Sequence, residues 1–153
     1  MKYYLLACLL VGTDQLSKWI VRSCMDAGES VRVLGDFFCL TYVQNSGAAF
    51  SMFSGHRFLL IALPVLVIVA ALWYLHSHKG EHWTLYAAGA LIISGGVGNL
   101  IDRMIFGWVT DMFDFSIFPP VFNVADIGVT VGCAVFIVYV IVGERLKTEQ
   151  NIQ

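Results

Sequence analysis

Long apolar runs without charged residues dominate the chain. Three of them, at 58–75, 83–101 and 127–143, contain no Asp, Glu, Lys or Arg. At a rise of ~1.5 Å per residue, a helix over any of these runs covers roughly 26–29 Å, close to the hydrocarbon thickness of a bilayer. The pattern therefore predicts membrane-spanning helices over about 58–75, 83–103 and 125–143.

The N-terminal segment is less uniform, because polar residues at 13–18 interrupt the apolar residues on either side. A cleaved signal peptide is the alternative interpretation, but no small-x-small cleavage site follows the apolar part. We interpret residues 3–21 as a first span that contains polar groups. Asp14 and Lys18 are four residues apart, so they share a helical face and can pair. Such a pair inside a membrane either serves function or fixes helix packing, and the spacing favours neither.

Two less apolar excursions connect the spans. Residues 31–43 are rich in β-branched and aromatic residues and predict a short strand pair or small sheet, and 44–50 follow as a turn that leads back to the membrane. Because successive spans alternate sides, the excursions at 22–57 and 104–124 emerge on the same face. The prediction is a single domain over 1–153: an all-α membrane protein of four transmembrane helices with a small β-sheet.

The composition supports a membrane protein. Of the 153 residues, 58% are apolar and 13% are charged, and the net charge is −2. Ordinary soluble chains have roughly 45–50% apolar and 25% charged residues. So few charges cannot cover a soluble surface, and no basic surface indicates nucleic acid. A disordered chain, a nucleic-acid-binding domain and an ordinary soluble enzyme are therefore excluded. Basic residues are balanced between the two faces, so the positive-inside rule leaves the orientation open.

Carboxylates gather at the membrane edge, on the face of the two excursions. Asn99, Asp102 and Arg103 end the third span as one polar patch, which must face protein or water. Two aspartates from separate segments can share a proton, so that one activates water as a base while the other donates a proton. The pattern therefore indicates acid–base hydrolysis without a metal. The five candidate acids, between which spacing does not choose, are Asp14, Asp102, Asp111, Asp114 and Asp126.

Other interpretations remain open from the residues alone. The intramembrane pair, with Asp102 and Arg103, can instead form the ion relay of a small transporter or channel subunit. The polar motifs can also serve only to pack helices in a structural membrane subunit. Three histidines at 76–82 can in principle bind a metal, but they lie on the opposite face. Cys24 and Cys39 can pair if their loop is outside the cytoplasm.

Five short motifs, in order along the four spans, resemble those of the bacterial lipoprotein signal peptidases, also called signal peptidase II. They lie at 14–18, 44–50, 95–103, 109–111 and 122–126, so the resemblance covers nearly the whole chain. It implies an aspartic endopeptidase of the bacterial cytoplasmic (inner) membrane, with both termini in the cytoplasm and the active site near the outer face. It also implies the reaction, which is removal of the signal peptide from diacylglyceryl-modified prolipoproteins by a cut just before the lipidated cysteine.

The resemblance also implies roles for particular residues. The catalytic dyad maps onto Asp111 and Asp126. The excursion at 22–57 becomes a sheet-like cradle over the active site, and the one at 104–124 becomes a shorter lid. The implied partners are prolipoprotein substrates and membrane lipid, with no nucleic acid, no cofactor and no metal, for a monomeric enzyme. The remaining positions are Asn45, Asn99, Arg103 and Asn123 for substrate binding, and Asp14, Lys18 and Asp102 for support.

Overall fold

The computed structural model describes residues 2–47 and 57–150, and within them four helices and four strands. Each of the four predicted spans lies inside a helix that extends a few residues beyond it. In chain order the elements are α1 (Lys2–Cys24), β1 (Ser30–Leu34), β2 (Phe38–Asn45), α2 (Arg57–Ser77), α3 (Trp83–Ile105), β3 (Val109–Phe115), β4 (Phe118–Phe122) and α4 (Val124–Gln150).

Among residues 2–47 and 57–150, three helical segments are long and apolar enough to cross a membrane. They are Phe58–Ser77, Trp83–Ile105 and Val124–Gly143. The helix α1 is as long as these, but its charged residues keep it outside this group. The prediction of three strongly apolar spans is therefore confirmed by length and composition, while a fourth span through α1 is a proposal taken up below.

Helix α3 is central, because α1, α2 and α4 all pack against it. Glycines permit the closest approaches. A Cβ at Gly95 would strike the carbonyl oxygen of Ala125 and lie 3.0 Å from the backbone nitrogen of Val129, both on α4. A Cβ at Gly98 would lie 2.5 Å from a carboxylate oxygen of Asp14 on α1. Small residues at a spacing of three to four thus let two helices reach the backbone of α3.

The four strands form one antiparallel sheet in the order β1-β2-β3-β4. The strand pair predicted within 31–43 is confirmed as the hairpin β1–β2. The segment at 104–124, predicted as a shorter lid, supplies β3 and β4, and β3 pairs with β2 in the same sheet. The all-α class is therefore only partly right. The role of 104–124 as a lid stays a prediction. The later part of the 44–50 motif, from residue 48 onward, lies outside the described residues.

The two faces of the sheet have different neighbours, since side chains alternate along a strand. On one face, Tyr42 and Met112 pack with Val21 near the end of α1 in a buried apolar cluster. The opposite face of β3 carries Asp111 and Phe115, which both line a cavity. The sheet is therefore seated on the end of the helix bundle through one face, and its other face is available for a site.

The four cysteines all lie in the described part of the chain and are free thiols. Cys24 and Cys39 therefore do not form the disulfide that the sequence left open. Cys24 is exposed at the end of α1, and Cys39 is half-buried in β2.

Replacing Gly95 by alanine should destabilise the fold, because the new methyl group meets backbone atoms of α4 that cannot move independently. We expect a loss of about 1–3 kcal/mol in the free energy of unfolding, measured by thermal unfolding in detergent micelles. Gly96→Ala is the matched control, because its methyl meets only the side chain of Ile68, at 3.3 Å. Equal stability of the two variants would count against the proposed backbone contact between α3 and α4.

Candidate active site

The start of α4 holds Asp126 in a fixed position. The backbone N–H of Asp126 donates to Asn123 Oδ1 at 3.0 Å, and the backbone N–H of Asn123 donates to Asp126 Oδ2 at 3.2 Å. This reciprocal pair is a capping box, with Asn123 as the N-cap and a carboxylate three residues later. The local sequence at 123–126 therefore directs the Asp126 carboxylate to the helix N-terminus.

Asp111 lies in the middle of β3 and is 2% exposed. Asn45 Nδ2, from the end of the neighbouring strand, donates to Asp111 Oδ2 at 2.9 Å. Asn123 Nδ2 donates to Asp111 Oδ1 at 2.6 Å. Both carboxylate oxygens therefore accept a hydrogen bond from an asparagine, and the carboxylate has little freedom to rotate.

Asparagines connect the two aspartates. Asn123 contacts both, because its side-chain nitrogen donates to Asp111 and its side-chain oxygen accepts from the backbone of Asp126. Asn99 Nδ2 donates to Asp126 Oδ1 at 2.7 Å, and Asn99 Oδ1 accepts from Asn123 Nδ2 at 3.2 Å. The structure thus joins two carboxylates that are 15 residues apart in the chain (126 − 111) into one network.

Burial raises the pKa of Asp111 to about 6. The hydrogen bond from Asn45 opposes this rise, the nearby charge of Asp126 adds to it, and the bond from Asn123 and the charge of Lys18 oppose it. Asp111 therefore retains its proton closer to neutral pH than an exposed aspartate does. A carboxyl with such a pKa, next to a second carboxyl, is suited to donate a proton.

A cavity of about 830 Å³ opens beside the pair. Apolar side chains of α2, α4 and the sheet form most of its wall, among them Leu63, Ile127 and Phe118. A cavity of this size and character accommodates an apolar ligand with a few polar groups. The polar side chains of its lining belong to Asn45, Asn99, Arg103, Asp111, Asp126 and Thr130.

The predicted substrate-binding residues divide into two groups. Asn45, Asn99 and Arg103 line the cavity, whereas Asn123 does not and is fully buried behind the two aspartates. Arg103 is also largely buried, and its Nη2 donates to the backbone oxygen of Gly47 at 3.0 Å. Arg103 therefore ties the segment after β2 to the end of α3 at the cavity wall.

Lys18 is the centre of a second network, which lies behind the cavity and meets it at Asn99. Its Nζ lies 2.9 Å from Asp14 Oδ2 and 3.6 Å from Asp102 Oδ2, and it donates to Asn99 Oδ1 at 2.8 Å. The predicted pairing of Asp14 and Lys18 is confirmed. The relative exposure of both residues is 0%, so the charges are compensated within the protein.

Asp14 and Asp102 hold the segments that carry the other two aspartates. Asp14 Oδ1 accepts from the backbone N–H of Ala125, in the first turn of α4, at 2.9 Å. Asp102 Oδ2 accepts from the backbone N–H of Thr110, at the start of β3, at 2.9 Å. Neither carboxylate lines the cavity, so the structure separates them from the pair formed by Asp111 and Asp126.

Asp114 is directed away from the cavity. It follows Asp111 by three residues on a strand, so the two side chains lie on opposite faces. Its Oδ2 accepts from Thr41 Oγ1 at 2.7 Å. The ambiguity between Asp111 and Asp114 that spacing leaves open is therefore decided by strand geometry.

Two residues of the buried network were not singled out from the sequence. Gln15 Nε2 donates to Asp14, to the backbone oxygen of Gly98 and to Asp102, at 3.0–3.2 Å. Arg22 lies 3.5 Å from Asp102, and its guanidinium stacks on the ring of Phe106 at 4.5 Å. The helical spacing of 14, 18 and 22 is a signal that could have identified Arg22.

The histidines at 76–82 lie at the opposite end of the helices. His78 Nδ1 is 2.9 Å from the backbone oxygen of Tyr74, and His82 Nδ1 is 3.0 Å from Thr84 Oγ1. Across residues 2–47 and 57–150, no group of three or more His, Cys, Asp or Glu side chains is arranged to hold a metal ion.

An apolar cavity between membrane helices, with a hydrogen-bonded aspartate pair in its wall and a small sheet above it, defines a membrane enzyme with acid–base groups. Two solved bacterial membrane enzymes share this fold. One has a TM-score of 0.85 at 29% identity and covers 99% of this chain and 92% of its own. The other has a TM-score of 0.82 at 30% identity and covers 91% and 92%.

The family described as Signal peptidase (SPase) II matches residues 6–142, and the chain belongs to this family. It is 43% identical over 136 residues to the lipoprotein signal peptidase of Halothermothrix orenii, covering 89% of this chain and 92% of that protein. It is 41% identical over 143 residues to that of Clostridioides difficile, covering 92% and 95%. Family membership sets aside the transporter and structural-subunit interpretations.

The raised pKa of Asp111 has a consequence for stability. The folded state holds this proton more tightly than the unfolded chain, whose aspartates have a pKa of about 3.9. Its contribution to stability is therefore present below about pH 4 and is lost as the pH rises through about 6. Relative to Asp111→Asn, the wild type should lose up to about 3 kcal/mol of unfolding free energy between about pH 4 and 7.

Thermal unfolding in detergent across this pH range measures the difference. Asp114→Asn is the matched control, because Asp114 lies on the same strand but on the other face. Asp114→Asn shows how far an asparagine on β3 outside the cavity wall changes the stability. A gap between Asp111→Asn and the wild type that is independent of pH would be inconsistent with a raised pKa at Asp111.

Proposed function

We propose that this chain removes signal peptides from bacterial prolipoproteins, and that Asp111 and Asp126 form the pair that hydrolyses the peptide bond. Family membership carries the first part. The observation that carries the second is the bridging of the two carboxylates by Asn123 at the wall of an apolar cavity. Two coupled carboxylates hydrolyse an amide without a covalent intermediate, because one acts as base while the other acts as acid.

In the proposed mechanism Asp126 is the base and Asp111 the acid. The N-terminus of α4 favours an ionised Asp126. The raised pKa of Asp111, about 6, makes Asp111 easier to protonate than an ordinary aspartate, so it is the better candidate for the acid. As a water oxygen attacks the scissile carbonyl carbon, Asp126 accepts a water proton and Asp111 donates its proton to the carbonyl oxygen. The tetrahedral diol then breaks down. The C–N bond cleaves as the proton on Asp126 passes to nitrogen, and a hydroxyl proton returns to Asp111.

The apolar cavity is proposed to receive the end of the signal helix, with the diacylglyceryl group of the substrate cysteine remaining in the bilayer. The cut then falls just before this cysteine. Asn45 and Arg103 line the cavity with hydrogen-bond donors, which suit the peptide carbonyls on either side of the cut. Asn123 is proposed to orient the two aspartates rather than to touch substrate, because it is fully buried.

Helix α1 is proposed to be the fourth span of a monomer, with both termini in the cytoplasm and the sheet on the outer side. Asp14 and Lys18 are buried inside the protein, so they do not oppose insertion. Most of the large side chains exposed on α1 are apolar, among them Leu9, Leu16 and Trp19. This distribution is typical of a helix whose outer surface faces lipid.

A cleavage assay tests the proposed pair. Purified protein in detergent is mixed with a diacylglyceryl-modified prolipoprotein, and loss of the signal peptide is followed by gel shift. Asp111→Asn and Asp126→Asn should each lower the rate by about 10²–10⁴-fold or more, because each removes one acid–base group. Asp114→Asn, on the other face of the same strand, should cleave at the wild-type rate.

Two results would overturn this assignment. Substantial cleavage by folded Asp111→Asn or Asp126→Asn would move the chemistry away from the pair. Absence of cleavage by the folded wild type would remove the proposed activity itself.

Thiol labelling tests the orientation. A membrane-impermeant maleimide should label Cys24 in intact spheroplasts, because Cys24 is exposed at the end of α1 that meets the sheet. In a Cys24→Ser background, a cysteine introduced by Lys79→Cys, in the turn between α2 and α3, should react only after permeabilisation. The reverse pattern would place the sheet on the cytoplasmic side.

A further inference from the structure

The side-chain amide of Asn99 lies between a buried cation and Asp126. Its Oδ1 accepts from Lys18 Nζ at 2.8 Å, and its Nδ2 donates to Asp126 Oδ1 at 2.7 Å. An ammonium group has donors and no acceptor. The amide atom that faces Lys18 must therefore be the oxygen, which leaves the NH₂ group to face Asp126.

We propose that Lys18 is a positioning residue for peptide hydrolysis, which fixes the orientation of the Asn99 amide so that it donates to Asp126. The proposal rests on the proposed function of Asp111 and Asp126. Without the cation, only the longer hydrogen bond from Asn123 Nδ2, at 3.2 Å, holds the amide oxygen in place. The amide then rotates more readily and presents its oxygen to Asp126. The amide oxygen would repel an ionised Asp126 carboxylate and could accept a hydrogen bond only from a protonated Asp126. The flipped amide therefore disfavours the ionised Asp126 that acts as the base.

The positive charge of Lys18 favours ionisation of the aspartate pair, and so does the amide that Lys18 orients toward Asp126. The buried network behind Asn99 holds two cations, Lys18 and Arg22, and two carboxylates, Asp14 and Asp102, so its formal charges cancel. Removing Lys18 leaves this network with a net negative charge next to the two aspartates. Both proton losses of the coupled pair then become harder.

Other charged groups also face the pair, and they remain in place when Lys18 is removed. Arg103 attracts both Asp111 and Asp126 from α3, and Asp14 repels Asp126 from α1. Within the pair, Asp111 and Asp126 repel each other. The amide donors from Asn45, Asn99 and Asn123 carry no charge. The effect of a Lys18 substitution is therefore a displacement of the pH dependence rather than its disappearance.

The test is the pH profile of cleavage by Lys18→Met, with kcat and KM measured separately. The maximal kcat should fall on the order of 10²-fold, as expected for misplaced catalytic groups, with little change in KM. The profile has an acidic limb, where the rate rises with pH, and an alkaline limb, where it falls. Both limbs should move to higher pH by about one unit. Arg22→Met is the charge-matched control, because Arg22 contacts Asp102 and not Asn99. Lys18 still holds the Asn99 amide in this variant, and the charge of Lys18 acts on both Asp111 and Asp126. Arg22→Met should therefore move the limbs less than Lys18→Met does and lower the maximal kcat much less, even if it lowers thermal stability.

A double-mutant cycle tests whether Lys18 acts through Asn99. In an Asn99→Ala background no amide remains to be oriented, so Lys18→Met should lower kcat much less than it does in the wild type. If the kcat decreases of Lys18→Met and Asn99→Ala multiply in the double variant, Lys18 does not act through Asn99 and the proposal is contradicted. A lower melting temperature for Lys18→Met, without movement of the pH limbs, would show a structural role alone.

Lys18→Arg provides a second variant in case Lys18→Met does not fold. It keeps the positive charge, so the pH limbs should stay in place. Its planar fork cannot reproduce the single short donor to Asn99, so kcat should fall about tenfold, and wild-type kcat in this variant would overturn the proposal.

Wild-type enzyme and Asp111→Asn are assayed in parallel. If the wild type does not cleave, or if Asp111→Asn still cleaves, the proposed function is contradicted. If the wild type cleaves normally and the Lys18 variants keep its kcat and pH profile, only the role of Lys18 is contradicted.

Discussion

The contact of the Lys18 ammonium with two carboxylates and one amide is the interaction on which the rest of the site depends. A charge at this depth is costly unless it is paired and hydrogen-bonded. Each carboxylate also makes a second contact. Asp14 accepts a hydrogen bond from a backbone N–H at the start of α4, and Asp102 accepts one from a backbone N–H at the start of β3. Compensation of one buried charge thereby fixes the two segments that carry Asp126 and Asp111.

The site combines an apolar cavity with a small group of polar side chains in its wall, and the apolar surroundings change the chemistry of these polar side chains. Close packing through Gly95 and Gly98 brings α4 and α1 to the backbone of α3. The apolar surroundings remove water from Asp111, which raises its pKa to about 6. The same surroundings suit a hydrophobic signal helix. Burial therefore serves recognition of the substrate and preparation of the acid at the same time.

Much of this arrangement can be predicted from the sequence, because apolar runs mark helices and because Asp14 and Lys18 share a helical face. The resemblance to signal peptidase II pointed to Asp111, and the alternation of side chains along β3 explains physically why Asp114 does not join it. The strand β4 could not be predicted, because prolines at 119 and 120 disfavour a strand except at the edge of a sheet, where β4 lies. The link from Lys18 through Asn99 also requires coordinates, because it joins α1 to α3 across 81 residues.

The central claim is that Asp111 and Asp126 titrate as a coupled pair, and carboxyl ¹³C shifts of aspartate-labelled protein in micelles test it most directly. Asp111 is assigned by its loss in Asp111→Asn and is then titrated in the wild type and in Asp126→Asn. The account predicts a pKa of about 6 for Asp111 in the wild type, and a lower value in Asp126→Asn, where the charge that raises it is gone. An Asp111 carboxyl that titrates near its usual pKa of about 4 in both proteins would contradict the account.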